Sequence, residues 1–285
     1  MFRSAYKSHL ISTWLSPERR SRLDRLLFRP TFRAWIDHEY LRTPDPDERE
    51  NLKLLAMGGI NSENWFHHYD DRPIRALLSS RVGTMRYKDA CPIHDTLDSI
   101  LTENPQDIVI QVGSCSGRMI AHYARKYPLT TFLGTDVTPE LIELSSRKYN
   151  LTNCQFTECP AHRLPALWSQ ADNLRITVFS SGSLKYVQPE HLELLLRSIS
   201  NEPNNTVKLL IQETVNELVM DSGELLGSRW DNEFKYTHNY HYYAECTGLT
   251  LVQNQIIRPY LPYEKFPNKK SGTVHLFCYY TNKKR

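Results

Sequence analysis

Gly113 and Gly117 stand four residues apart, with Ser114, Cys115 and Ser116 between them, directly after the apolar run "DIVIQV" of residues 107–112. Small residues at the end of a strand pattern serve one of two purposes. Either the backbone reverses sharply there, or a ligand lies close against it. A helical pattern, "GRMIAHYARKY", follows at once. In an open α/β sheet the ligand sits beside such a turn, at the C-terminal ends of the strands. An adenosine-type ligand suits it. Two nucleotide signatures fail, however. G-x-G-x-x-G needs a glycine where Arg118 stands, and no Lys-Ser/Thr pair follows to make a phosphate loop. The alternative is a tight strand-to-helix connection that holds nothing.

The elements that position this turn begin at about residue 90. "DIVIQV", "TTFLGTD", "CQFTE", "RITVFS" and "TVKLLIQE" read as five strands, and "LTLVQNQII" and "GTVHLFCYYT" as two more. "TPELIELSSRKYN" reads as a helix with Thr138 as N-cap and Pro139 at its first position. "QPEHLELLLRSI" carries Leu192, Leu195, Leu196 and Ile199 on one face, and "NYHYYAECTG" stops at Gly248. This alternation predicts an α/β, Rossmann-like, seven-stranded and mostly parallel sheet, with a terminal hairpin making one strand antiparallel. Residues 1–88 carry helical patterns only, among them "SPERRSRLDRLLF", "DPDERENLKLLAMGG" and "DDRPIRALLSSRVG". This region, rich in Trp14, Trp35, Trp65, Phe66, Tyr69 and Tyr87, is either a cap packed on the main domain or a lid over a cleft. The expected division is therefore 1–88 and 89–285.

At 285 residues, 40% hydrophobic and 24% charged, the chain reads as one large domain or a core with an appendage. A net charge of +3 with scattered basic residues makes no case for a nucleic-acid or membrane partner. No apolar run approaches the roughly 20 residues of a bilayer span, and "MFRSAYKSHLISTWLSPERR" lacks the pattern of a secretory signal. The six cysteines form no CxxC pair, so neither a zinc knuckle nor a disulfide framework is expected, and a cytoplasmic setting is.

The turn and the strand after it resemble the class I S-adenosylmethionine-dependent methyltransferases. That family's first motif is an acid, any residue, then G-x-G-x-G; here Gln111-Val112-Gly113-Ser114-Cys115-Ser116-Gly117 stands there. Its second strand ends in an acid that holds both ribose hydroxyls, and Asp136 closes "FLGTD", 23 residues after Gly113. The resemblance covers roughly residues 90–285 and implies S-adenosylmethionine as cofactor. The residues it places there are Gln111, Gly113, Ser114, Cys115, Gly117, Asp136, Val137, Pro160, Ala161, His162, Ser180 and Ser181. Three departures stand out. Gln111 replaces the acid, Cys115 replaces the middle glycine, and Cys159-Pro160 replaces Gly-Asp after the third strand, leaving Ala161 and His162 to meet the adenine.

After the fourth strand the chain has "SSGSLKYVQPEH". It lacks the (D/N)-P-P-(Y/F) of enzymes that methylate base nitrogens, the Pro-Cys of cytosine-carbon enzymes, and the acids that hold magnesium. The stretch resembles small-molecule methyltransferases, and the expected reaction is metal-independent transfer to oxygen or nitrogen. The insert "DSGELLGSRWDNEFKYTHNYHYY" brings Trp230, Phe234, Tyr236, His238, Tyr240 and His241. With Tyr69, the residues Trp230, Tyr236 and His241 are the candidate acceptor pocket; plain packing is the alternative. His238 is the first candidate general base and Glu213 the second, since a neutral imidazole takes a hydroxyl proton near pH 7. The alternative for His238 is a bond to nearby backbone. Other readings are a protein or peptide methyltransferase, and a silent cofactor-binding subunit. A homodimer through the N-terminal helices is a further expectation.

Overall fold

The computed structural model describes residues 40–45, 48–49, 92–216, 226–232, 235–257 and 273–282. The chain divides into two compact units, Met1–Asn61 and Ser62–Arg285. In the first unit the described residues are two helical fragments, joined by a bond from Glu48 N–H to the Asp45 carboxylate. Most of the helices expected over 1–88, with Trp14, Trp35, Trp65, Phe66, Tyr69 and Tyr87, lie outside the described residues, as does the expected boundary at 88.

The second unit alternates strands and helices as its sequence pattern requires. In order they are α1 (Pro92–Glu103), β1 (Ile108–Val112), α2 (Arg118–Lys126), β2 (Thr131–Asp136), α3 (Pro139–Lys148), β3 (Cys154–Glu158), a 3-10 helix (Ala161–Leu167), β4 (Arg175–Ser181) and α4 (Pro189–Ser200). Then come β5 (Thr206–Asn216), β6 (Ser228–Asn232), β7 (Lys235–His238), α5 (Tyr240–Thr247), β8 (Thr250–Ile257) and β9 (Thr273–Thr281). Pro139 and Pro189 sit in the first turn of their helices, where a missing N–H costs nothing. Gly248 closes α5 in the left-handed conformation, φ +82°.

Seven strands form one sheet in the order β3-β2-β1-β4-β5-β9-β8. The first five run parallel, and β9 enters between β5 and β8, antiparallel to both. The single reversed strand of the expected hairpin is thus β9. Period-two alternation splits the core between the two faces of the sheet. Ile110, Val112, Ile176, Val178, Val207, Leu209 and Ile211 pack with α4 and α5, while Val109, Phe132, Phe179 and Leu210 pack with α1 and α2.

Two elements go beyond those expected. Helix α1 buries Ile93, Leu97, Ile100 and Leu101, spaced to lie along one face. The aromatic insert contains a hairpin, β6 with β7, pairing Trp230 with Tyr236 and Ser228 with His238. Among the described residues, no helix is long and apolar enough to cross a membrane.

Candidate active site

The strand order turns back between β1 and β4, and the turn after β1 lies at the C-terminal edge of that switch. Three alternate residues of this turn adopt the left-handed conformation: Gly113 (φ +66°), Cys115 (φ +50°) and Gly117 (φ +69°). The middle position of G-x-G-x-G therefore keeps its geometry with a cysteine, against a steric cost of about 1–2 kcal/mol. Its thiol is half-buried, and burial, then the nearby Asp136, push it up to about 12. It is therefore a neutral packing group.

Both glycines are also demanded by the chain's own packing. A Cβ on Gly113 would stand 2.2 Å from Ser183 Oγ, and one on Gly117 2.4 Å from the Phe156 ring. The turn is therefore held from both sides. Ser183 Oγ donates to the Gly113 carbonyl at 3.4 Å, and Ser145 Oγ of α3 to the Cys115 carbonyl at 3.1 Å.

Asp136 ends β2 beside the turn. Its Oδ2 accepts from Cys115 N–H at 3.0 Å and its Oδ1 from Thr138 N–H at 3.1 Å. Burial holds its carboxyl above the ordinary range, opposed by those amides. The side chain is half-buried, and a carboxylate with two acceptor oxygens keeps lone pairs for hydroxyl donors. Val137, half-buried, follows it. Two oxygens near the turn, Gln111 Oε1 and Ser114 Oγ, are buried without a hydrogen-bond partner among the described residues. Buried acceptors of that kind are costly unless a ligand or water satisfies them. The residues thus fit an adenosine-bearing cationic amino acid, with Asp136 for the ribose and Gln111 for the ammonium.

Beyond β3, Cys159 N–H reaches back to the Asp136 carbonyl at 3.0 Å, and Pro160 caps the 3-10 helix. Ala161 is buried, while His162 stacks on His191 of α4 with ring centroids 4.0 Å apart. The structure therefore brings Gln111, Gly113, Ser114, Cys115, Gly117 and Asp136 together, and turns the His162 ring against α4. Ser181 is half-buried at the end of β4, whereas the buried Ser180 hydroxyl is engaged by Glu213 at 2.9 Å.

The expected bases are both enclosed. His238 Nε2 lies 3.2 Å from the Leu184 carbonyl, which can only accept, so the proton is on Nε2. Its Nδ1 is then the acceptor for the Ser228 hydroxyl at 2.6 Å, and Ser228 Oγ accepts from Tyr243 Oη at 2.8 Å. Burial pulls the imidazole down to about 4 despite the Leu184 carbonyl. His238 is thus a buried, neutral link between β7 and the loop after β4. Glu213 is fully buried, and burial pushes its carboxyl up.

Of the acceptor candidates, Trp230 and Tyr236 meet edge to face at 5.1 Å, and Tyr236 stacks on His238 at 5.4 Å. His241 lies apart, with Nδ1 3.0 Å from Tyr280 Oη. Sequence reasoning missed Ser183, Ser145 and Ser228. "SSGSLKY" offered a hint of the first; a serine within a helix or a strand offers none of the others.

A depression of about 630 Å³ near Asp95, Ser99, Glu103 and Lys208 lies at the opposite, N-terminal edge of β5, away from this chemistry. Among the described residues, no group of three or more His, Cys, Asp or Glu side chains is placed to hold a metal ion.

No curated protein sequence matches the chain. Among solved structures, a TehB-like SAM-dependent methyltransferase from Corynebacterium glutamicum is similar over 79% of this chain and 99% of its own, with 15% identity and a TM-score of 0.49. A 1,6-didemethyltoxoflavin-N1-methyltransferase from Burkholderia thailandensis is similar over 84% of this chain and 91% of its own, with 14% identity and a TM-score of 0.47. An O-methyltransferase from a Brevibacillus brevis polyketide multienzyme covers 65% and is itself covered to 71%, with 12% identity and a TM-score of 0.47. The family model described as "Methyltransferase domain" matches residues 109–201, the stretch that holds the glycine turn, Asp136 and the loop after β4. The match spans about a third of the chain, and over that stretch the chain is similar to a methyltransferase domain.

Proposed function

We propose that the chain transfers a methyl group from S-adenosylmethionine to an oxygen or nitrogen of a small molecule, without a metal ion. The observation that carries the cofactor half is the pair of buried oxygens without a partner among the described residues, Gln111 Oε1 and Ser114 Oγ, beside the half-buried Asp136 carboxylate. The acceptor half is supported by the loop Ser180–Tyr186, which carries none of the residue sets of base-methylating or magnesium-dependent enzymes. The Trp230–Tyr236 pair on the neighbouring hairpin offers an aromatic wall.

When bound, the cofactor supplies an electrophilic methyl on a sulfonium. The residues of the chain then bind and orient. Asp136 takes the ribose hydroxyls, Gln111 the amino group, and the left-handed turn lets the main chain lie close. Holding two reactants in line accounts for as much as about 7–11 kcal/mol of a barrier, so transfer of this type relies mainly on positioning. His238 and Glu213 being enclosed also favours the second reading, a cofactor-binding subunit that supports a partner.

Calorimetric titration with S-adenosylmethionine, followed by a product-release assay over hydroxyl- and amine-bearing small molecules and a peptide library, separates these readings. Binding with turnover on small molecules is the expected result. Turnover on peptides alone overturns the acceptor assignment, and binding without any turnover supports the silent subunit. No binding at millimolar ligand removes the cofactor assignment itself.

A further inference from the structure

We propose that Glu213 is a positioning residue, whose Oε1 anchors the loop after β4 against the cofactor cradle as a hydrogen-bond acceptor, and that it takes no proton from the methyl acceptor. Three donors converge on that one oxygen: Ser180 Oγ at 2.9 Å, Ser183 N–H at 2.8 Å and Leu184 N–H at 2.8 Å. Two of the residues so held then hold something else. Ser183 Oγ donates to the Gly113 carbonyl and occupies the space a side chain at 113 would need. The Leu184 carbonyl accepts from His238 Nε2, which ties in β7. One carboxyl oxygen on β5 therefore fixes the β4 loop, and through it the glycine turn and the aromatic hairpin.

The other oxygen argues against a base. Among the described residues Oε2 has no hydrogen-bond partner, nor has the buried Tyr240 Oη, and the Glu213 side chain has no exposed surface. A general base must come within about 2.6–3.2 Å of the proton it removes. Burial raises the affinity of this carboxyl for a proton, and the Lys185 ammonium, itself half-buried, opposes that. A proton on Oε2 leaves Oε1 free to accept, so the anchor needs the oxygen and its reach rather than the charge. Glutamine shares both properties. Aspartate keeps the charge and loses the reach.

That contrast is the test. Hydrogen exchange at the amides of residues 183 and 184 is measured in the wild type, Glu213→Gln, Glu213→Asp and Glu213→Ala, with S-adenosylhomocysteine affinity by calorimetry. Glu213→Ala and Glu213→Asp are expected to lose about tenfold or more in protection and in affinity, and Glu213→Gln to stay within about threefold on both. The reverse order, aspartate retaining what glutamine loses, overturns the proposal. Unchanged protection in Glu213→Ala does so as well. If the alanine variant does not fold, the Gln and Asp pair still decides. Only the affinity readout rests on the methyl-donor reading. If the wild type binds no S-adenosylhomocysteine, that reading fails while the exchange data still judge the anchor.

Discussion

At the scale of single residues, charge and burial decide what each candidate can do. His238 is buried and neutral, its proton fixed on Nε2 by a carbonyl that can only accept. Its folded pKa, about 4, lies below the ordinary 6.5, so on acidification the unfolded chain binds a proton first. The stability this histidine contributes is complete above about pH 6.5 and is lost as pH falls toward 4, a loss of about 3 kcal/mol. Glu213 and Asp136, shifted upward, act in the opposite sense, so the histidine component is isolated by difference. Urea unfolding at several pH values should show a shallower acid loss in His238→Gln than in the wild type; identical slopes would remove His238 from the account. Asp136 carries a separate prediction. Asp136→Ala removes the acceptor of two backbone amides and of the proposed ribose hydroxyls. Cofactor affinity should fall more than tenfold, roughly 2–4 kcal/mol, by calorimetry. An unchanged affinity would remove Asp136 from the site.

At the scale of elements, the β1 turn and the β4 loop are built against each other. Gly113→Ala meets two costs, a left-handed conformation of about 1–2 kcal/mol and a contact with Ser183 Oγ that cannot be accommodated in place. Removing the Ser183 side chain relieves only the second. A double-mutant cycle should therefore find Gly113→Ala less destabilising in a Ser183→Gly background, with a coupling of about 1 kcal/mol or more. Additive effects in denaturant unfolding would show that the two segments do not touch in solution. The same scale marks the limit of sequence patterning. Strand and helix periods announced β1 to β5, α2 to α4 and the reversed strand β9. Helix α1 was equally periodic, at Ile93, Leu97, Ile100 and Leu101, yet its pattern was passed over in the sequence. The β6–β7 hairpin went unseen because mixed polar and aromatic residues over four or five positions carry no clear period.

At the scale of the whole molecule, a ligand that binds only the folded chain stabilises it by mass action. At a hundredfold excess over its dissociation constant, S-adenosylmethionine should add about 2.7 kcal/mol. For a chain of this size that corresponds to an upward melting shift of roughly 5–10 °C in thermal unfolding. No shift at millimolar cofactor would contradict the assignment of the cradle. The sequence by itself determined the α/β alternation, the place of the glycine turn and the acid at the end of β2. Those depend on local periods and on residue types that tight turns admit. It also carried the roles expected of His238 and Glu213, because their chemistry is proton transfer wherever water and substrate reach them. Tertiary structure alone decided that both are buried. Three donors from the end of β4 and the loop after it converge on a single Glu213 oxygen, and one carbonyl fixes the His238 tautomer. Partners separated by about thirty to fifty residues in the chain leave no mark on either residue's neighbours in sequence, so burial and bonding of this kind are settled only by the fold.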